Sequence, residues 1–200
     1  MSASKDGTIR LWNIAEGKET RKWVIEGKRA AESMIVLEGQ QSLKSLGLEN
    51  DDRAMLVATK EGISVTPWSS PGWFTPSPEN VGHLVSLAYS PDLDIVATGH
   101  SDGIVTLRPL SSLLPETSRS PKLIRRNESP IYSFLFSSSD LYMGTAAGLP
   151  CRLSIQVSND KIEVDVKEEL AGWEAVGVEC WAEGHGSVWC AGGEGGVRRY

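Results

Sequence analysis

Cysteine is scarce in this chain of 200 residues: Cys151, Cys180 and Cys190 are an odd number and show no C-x-x-C spacing. Such a set excludes a disulfide framework and a zinc finger, and its apolar neighbours predict three small buried hydrophobes. Histidine is as sparse. His83, His100 and His185 lie far apart with no H-x-x-x-H or carboxylate spacing, so no metal site is expected. Long apolar runs are missing too: none approaches the ~20 residues of a membrane-spanning helix, and the opening MSASKDGTIR has no apolar segment for export. These absences lead to the expectation of an intracellular protein, cytoplasmic, nuclear or both, with no membrane partner. Positive charge is in the minority, at 20 Lys and Arg against 26 Asp and Glu, a net charge of −6. A global field for binding nucleic acid is therefore excluded, and any contact with phosphate has to be indirect or made by a local patch.

What is present is enough apolar residue, 40%, for one sizeable core, punctuated by 20 Gly and 10 Pro. Seven Trp against three Phe, with turn residues spread along the whole chain, suit many short strands and not a helical bundle. A search for self-similarity finds one phrase five times: a short apolar strand, a strand of small residues, an acidic-Gly turn and another alternating strand. The fullest copy runs Leu84–Tyr89, the turn Ser90-Pro91-Asp92, Ile95–Gly99, the turn Ser101-Asp102-Gly103, then Ile104–Leu110. The copies align on Gly7, Gly62, Gly103, Gly148 and Gly195, with spacings of 55, 41, 45 and 47 residues. That is one four-stranded unit per ~40–45 residues, with an insertion after the first.

Ser2-Ala3-Ser4-Lys5-Asp6-Gly7-Thr8-Ile9-Arg10-Leu11-Trp12-Asn13 resembles the signature segment of the WD-repeat (WD40) β-propeller family, and Val96-Ala97-Thr98-Gly99-His100-Ser101-Asp102-Gly103 resembles the same segment in another blade. The resemblance implies an all-β fold of four-stranded antiparallel blades, with strands a to d running outward from a central channel. Residues 1–28 are then a partial blade and 29–41 an insertion in which Ile35-Val36-Leu37 adds a strand or a packed excursion. Full blades follow at 42–80, 81–126 and 127–172, and a last partial blade at 173–200. Four blades' worth does not complete a six- or seven-bladed ring, so upstream blades of a seven-bladed parent are expected outside this chain; the alternative is a small closed ring in which the first and last copies share strands.

The resemblance also implies a hydrogen-bonded tetrad in each blade, made of a His before strand a, a Ser or Thr on strand b, the turn Asp and a Trp on strand c. The third copy supplies His83, Thr98 and Asp102, with Arg108 in place of Trp. The first copy supplies Ser2, Asp6 and Trp12. In the last, Cys190, Glu194 and Tyr200 hold the corresponding positions, and in the fourth Ala147 replaces Asp. These are stability determinants, since each buried polar group left unpaired costs about 1–3 kcal/mol.

Catalysis finds no foothold. Gly99-His100-Ser101-Asp102-Gly103 matches G-x-S-x-G, but a nucleophile elbow leads into a helix, whereas here a strand follows. Gly192–Gly196 lacks the Lys-Ser or Lys-Thr of a phosphate loop, and no cofactor is expected. The expected function is that of a scaffold or adaptor subunit binding proteins or peptides, with Lys5, Lys60 and Ser101 as contacts in the turns between strands b and c. Trp73-Phe74, in a Pro-rich stretch, either anchors a partner or covers a neighbouring blade, and cover is favoured. Arg119, Lys122, Arg125 and Arg126 form a basic stretch able to touch phosphate in a nucleic-acid-associated complex, although a solvated edge is the plainer reading. Ser120-Pro121 within it is open to phosphorylation. Asp160–Glu169 alternates charge with Ile and Val, as an outermost strand does.

Overall fold

Apolar and small residues in alternation, bounded by Asp-Gly and Pro-Asp steps, form strands that pair antiparallel with their sequence neighbours, most of them across short turns. The computed structural model describes residues 1–117, 119–158, 161–170, 177–193 and 196–200. The chain divides into two units, Met1–Glu79 with Leu110–Arg119, and Asn80–Pro109 with Ser120–Tyr200.

The first unit holds two antiparallel sheets. One is β1 (Ser2–Ala3), β2 (Thr8–Asn13) and β3 (Lys18–Val24); the other is β4 (Ser33–Leu37), β5 (Ala54–Thr59), β6 (Gly62–Pro67) and β7 (Trp73–Pro76). Ile9 and Ile25 pack on Met55 and Val57 between them. The Trp23 and Trp68 rings meet at 4.7 Å, and Arg21 lies over both. A short helix α1 (Gln40–Ser45) leads into Leu46 and Leu48, which are buried with its Leu43. The helix rests against the tight turn Leu110–Leu113.

The boundaries expected here are corrected. The strand expected at Ile35-Val36-Leu37 is present within Ser33–Leu37, but it is no insertion: it pairs with β5 along its whole length and is the first strand of the second sheet. The repeat length misleads because α1 lengthens the connection from first to second strand, with Leu43 in the helix and Leu46 and Leu48 after it breaking the β pattern.

The second unit holds three sheets. The first is β8 (Leu84–Ser90), β9 (Ile95–His100), β10 (Ile104–Pro109) and β11 (Lys122–Arg125). The second is β12 (Ile131–Ser137), β13 (Asp140–Thr145), β14 (Cys151–Ser158) and β15 (Lys161–Glu169), and the third is β16 (Val178–Gly184), β17 (Ser187–Gly192) and β18 (Gly196–Arg199). Every pairing is antiparallel. Ile95, Ala97, Val105 and Leu107 pack on Ile131, Leu141, Met143 and Leu153 of the next sheet. Tyr142 and Leu170 pack with Val188, Trp181 and Tyr200 of the third. A fully buried aliphatic side chain contributes about 1.5–3 kcal/mol, so these layers hold the sheets together.

One joint recurs between the sheets. A bulge in β8 sets Ser86 opposite Gly99, and a bulge in β12 sets Ser133 opposite Gly144. Ser86 Oγ donates to the Ile131 carbonyl at 2.6 Å, and Ser133 Oγ to the Val178 carbonyl at 2.7 Å. A Cβ at Gly99 would stand 2.7 Å from Ile131 Cβ, so the absent side chain is what admits the next sheet. In the third sheet Cys180 and Ala191 hold these positions.

Of the three free thiols, Cys151 and Cys190 are buried as expected and Cys180 is exposed. The pairing of β16 with β17 and β18 puts Cys180 on the face carrying Trp189 and Val197, both themselves exposed.

Candidate functional site

The turn between β1 and β2 in the first unit and that between β9 and β10 in the second are held alike. Asp6 Oδ1 accepts from the Thr8 amide at 3.0 Å and the Thr8 hydroxyl at 2.6 Å. The hydroxyl is the main reason the Asp6 carboxyl lies below its ordinary pKa. Asp102 Oδ1 accepts from the Ile104 amide at 3.4 Å in the same way. The chain leaving the outer strand then laces to this turn: Ile25 donates to the Gly7 carbonyl at 2.9 Å, and Arg126 to that of Gly103 at 3.1 Å. Gly103 sits at φ +77°, with the Asn127 carbonyl where a Cβ would point. Elsewhere Ser77 donates to the Glu61 carbonyl, Ser101 to that of His83 and Ala146 to that of Pro130. Within each unit these turns are thus fastened to the connectors beside them.

Of the contacts expected there, Lys5 and Lys60 are exposed and Ser101 is half-buried. Lys5 and Lys60 stand in the corresponding turns of two packed sheets, β1–β2 and β5–β6. Ser101 leads directly into β10, so the strand context that disfavours a nucleophile elbow is the one observed.

Below the turn in the β8–β11 sheet lies a buried polar chain. His100 Nδ1 is 2.9 Å from the Gly82 carbonyl, which only accepts, so Nδ1 carries the hydrogen. In the neutral ring Nε2 then accepts from Thr98 Oγ1 at 3.0 Å, and Thr98 in turn accepts from Thr106 Oγ1 at 2.5 Å. Burial pushes the His100 pKa down, in keeping with that neutral state.

The histidine assigned by resemblance is therefore corrected. His83 is exposed and, among the described residues, engaged through its carbonyl, while His100, at the end of β9 on the same face as Thr98, takes the role. His100 and Thr106 were missed, and the signal for them was present: His100 is two residues from Thr98 on an alternating strand, and Thr106 is the cross-strand partner of Thr98. Asp102 belongs to the turn. Arg108, in the Trp position, is buried, and burial lowers its pKa; its Nε has no hydrogen-bond partner among the described residues.

In the first sheet Trp12 Nε1 donates to Ser2 Oγ at 2.9 Å, pairing two expected members, while Asp6 serves Thr8 and Arg10. In the last, Cys190 Sγ lies 4.0 Å from the Tyr200 hydroxyl, and Glu194 falls outside the described residues. Thr145, near Ala147, accepts from the Leu149 amide at 3.2 Å.

Trp73 and Phe74 lie in β7 and are half-buried. Trp73 Nε1 donates to the Leu113 carbonyl at 2.7 Å, and Arg29 covers the Phe74 ring at 3.7 Å. Of the basic stretch, Lys122 and Arg125 are exposed on β11, and Arg119, also exposed, belongs to the first unit. Arg126 is taken up by an ion pair with Glu169. Beside it the buried Cys151 thiol is pushed up to about 11, which keeps it protonated and unreactive. Among the described residues no group of three His, Cys, Asp or Glu could hold a metal ion.

Residues 76–107, which span β8, β9 and most of β10, match the family model described as WD domain, G-beta repeat. No curated protein matches the sequence. The fold is similar to that of Sqt1 of Saccharomyces cerevisiae, with a TM-score of 0.66 at 17% identity over 99% of this chain and 54% of Sqt1, so the chain spans about half the length of that protein. It is similar to the beta-propeller domain of Cps50 (Swd1) of Myceliophteria thermophila, with a TM-score of 0.70 at 11% identity over 99% of this chain and 68% of that one. The computationally designed Ika4 protein gives 0.55 at 14% identity over 74% of this chain and 84% of its own. At these identities the likeness is one of fold. Residues 76–107 thus match one WD repeat, and the sheets around them share the fold of β-propeller domains.

Proposed function

We propose that the chain is a non-catalytic, intracellular scaffold that holds other proteins or peptides through the turn end of its sheets. The observation that carries this reading is the lacing of turns to the neighbouring connectors within each unit, Gly7 with Ile25 in the first and Gly103 with Arg126 in the second. A surface fixed in advance loses little conformational entropy when a partner docks on it. Lys5 and Lys60 stand exposed on that end in two packed sheets and favour a partner with carboxylates at the contact. Phosphate contact by the basic stretch is the weaker reading, because the Arg126 charge is already satisfied by Glu169.

Residue-specific photo-crosslinking tests the reading. A crosslinking side chain at position 5 or 60 is expected to trap a discrete protein adduct in cells making the full chain, and one at Glu163, exposed on the outer strand β15, is not. Adducts from position 163 alone, adducts with nucleic acid at Lys122 in their place, or none at any position would overturn it.

A further inference from the structure

Seven of the ten prolines follow Ser or Thr, and the structure treats those seven steps very differently. Thr66 and Ser90 are buried in strands, and the Ser77 hydroxyl is enclosed. Thr75 Oγ1 is given to the Leu113 carbonyl at 2.8 Å, and Ser129 is half-buried. Ser70 is exposed, but its hydroxyl donates to Asp51 Oδ2 at 2.8 Å, so a phosphate there would press against a carboxylate. Ser120 alone of the seven is exposed with no acid against its hydroxyl among the described residues, and it enters the edge strand β11 through Pro121. Its flanks are Arg119 and Lys122, with Arg125 further along the same edge, all exposed.

From this contrast we propose that Ser120 is the phosphoacceptor of this chain for a proline-directed protein kinase. Such an enzyme needs the serine on an accessible, extended segment and accepts the missing amide of proline in the next position. The γ-phosphoryl group of a nucleoside triphosphate passes to Ser120 Oγ. The Oγ–P bond forms, the bond from phosphorus to the β-phosphate oxygen breaks, the nucleoside diphosphate leaves, and the hydroxyl proton goes to the catalytic base of the kinase. The product brings a charge of about −1.5 to −2 to a segment whose adjoining side chains are cationic, where it is stabilised and cancels most of the local positive charge.

The test is phosphorylation of the folded full chain by a purified proline-directed kinase with ATP, with each site quantified by mass spectrometry. Occupancy at Ser120 is expected to exceed that at each of the other six sites by at least about fivefold, since a buried hydroxyl is reached only through local opening. Ser120→Ala should remove most of the incorporation, Ser70→Ala should leave it unchanged, and urea-unfolded chain should lose the preference. Folded chain that takes phosphate mainly at Ser70 or at a buried site, or takes none at Ser120 while unfolded chain does, overturns the assignment. So does the absence of phosphate at Ser120 in both forms.

Discussion

His100 serves the fold only as a neutral ring, with Nδ1–H on the Gly82 carbonyl and Nε2 accepting from Thr98. Burial resists protonation most, and protonation would also put a donor against the Thr98 hydroxyl and a charge repelled by Arg108. The folded pKa is thus depressed below the ordinary value of about 6.5. Its contribution to stability is fully present above pH ~6.5 and is lost as pH falls toward the folded value, because the unfolded chain then binds a proton that the folded chain refuses. Denaturant midpoints measured between pH 7.5 and 5.5 should fall for the native sequence and fall less for His100→Gln, whatever the absolute stability of that variant. A steeper or equal fall in His100→Gln would show that the folded state accepts the proton.

At the scale of the element, the sheet joint combines a serine hydroxyl, a bare glycine and the first strand of the following sheet. Ser133→Ala leaves the buried Val178 carbonyl without that donor and should cost about 1–2 kcal/mol in chemical denaturation. Gly144→Ala forces a methyl against Val178 and should cost about 1–3 kcal/mol. If both variants unfold with the native midpoint, the joint is not holding the sheets. Strands β8 to β10 were legible because period-two alternation and the Asp102-Gly103 step agree there. In β4 the apolar run Ile35–Leu37 was legible as a strand but its place as the first strand of the second sheet was not, because Leu43 of α1 and Leu46 and Leu48 after it interrupt the pattern between it and its partner. The joint itself was hidden, since Ser86 and Gly99 read as ordinary small residues until a bulge sets them opposite each other.

For the molecule as a whole, the repeat was legible from glycine spacing, while the polar chain was only half legible. Thr98 was named, but the G-x-S-x-G pattern and the resemblance both drew His100 into the turn and left His83 in its place. Alternation along β9 decides between them: the side chain of His100 falls on the Thr98 face, and that of His83 stays in solvent. Exposure could not be read from composition either, which is why Cys180 was expected to be buried beside Cys151 and Cys190. Everything functional rests on sheets packed in succession within each unit. A nuclear Overhauser spectrum of the isotopically labelled chain measures that succession directly. The expected result is strong cross-peaks from Gly99 Hα to the Ile131 side chain and from Gly144 Hα to the Val178 methyls. Glycine Hα signals that reach neither Ile131 nor Val178, and meet side chains of other strands, would contradict it.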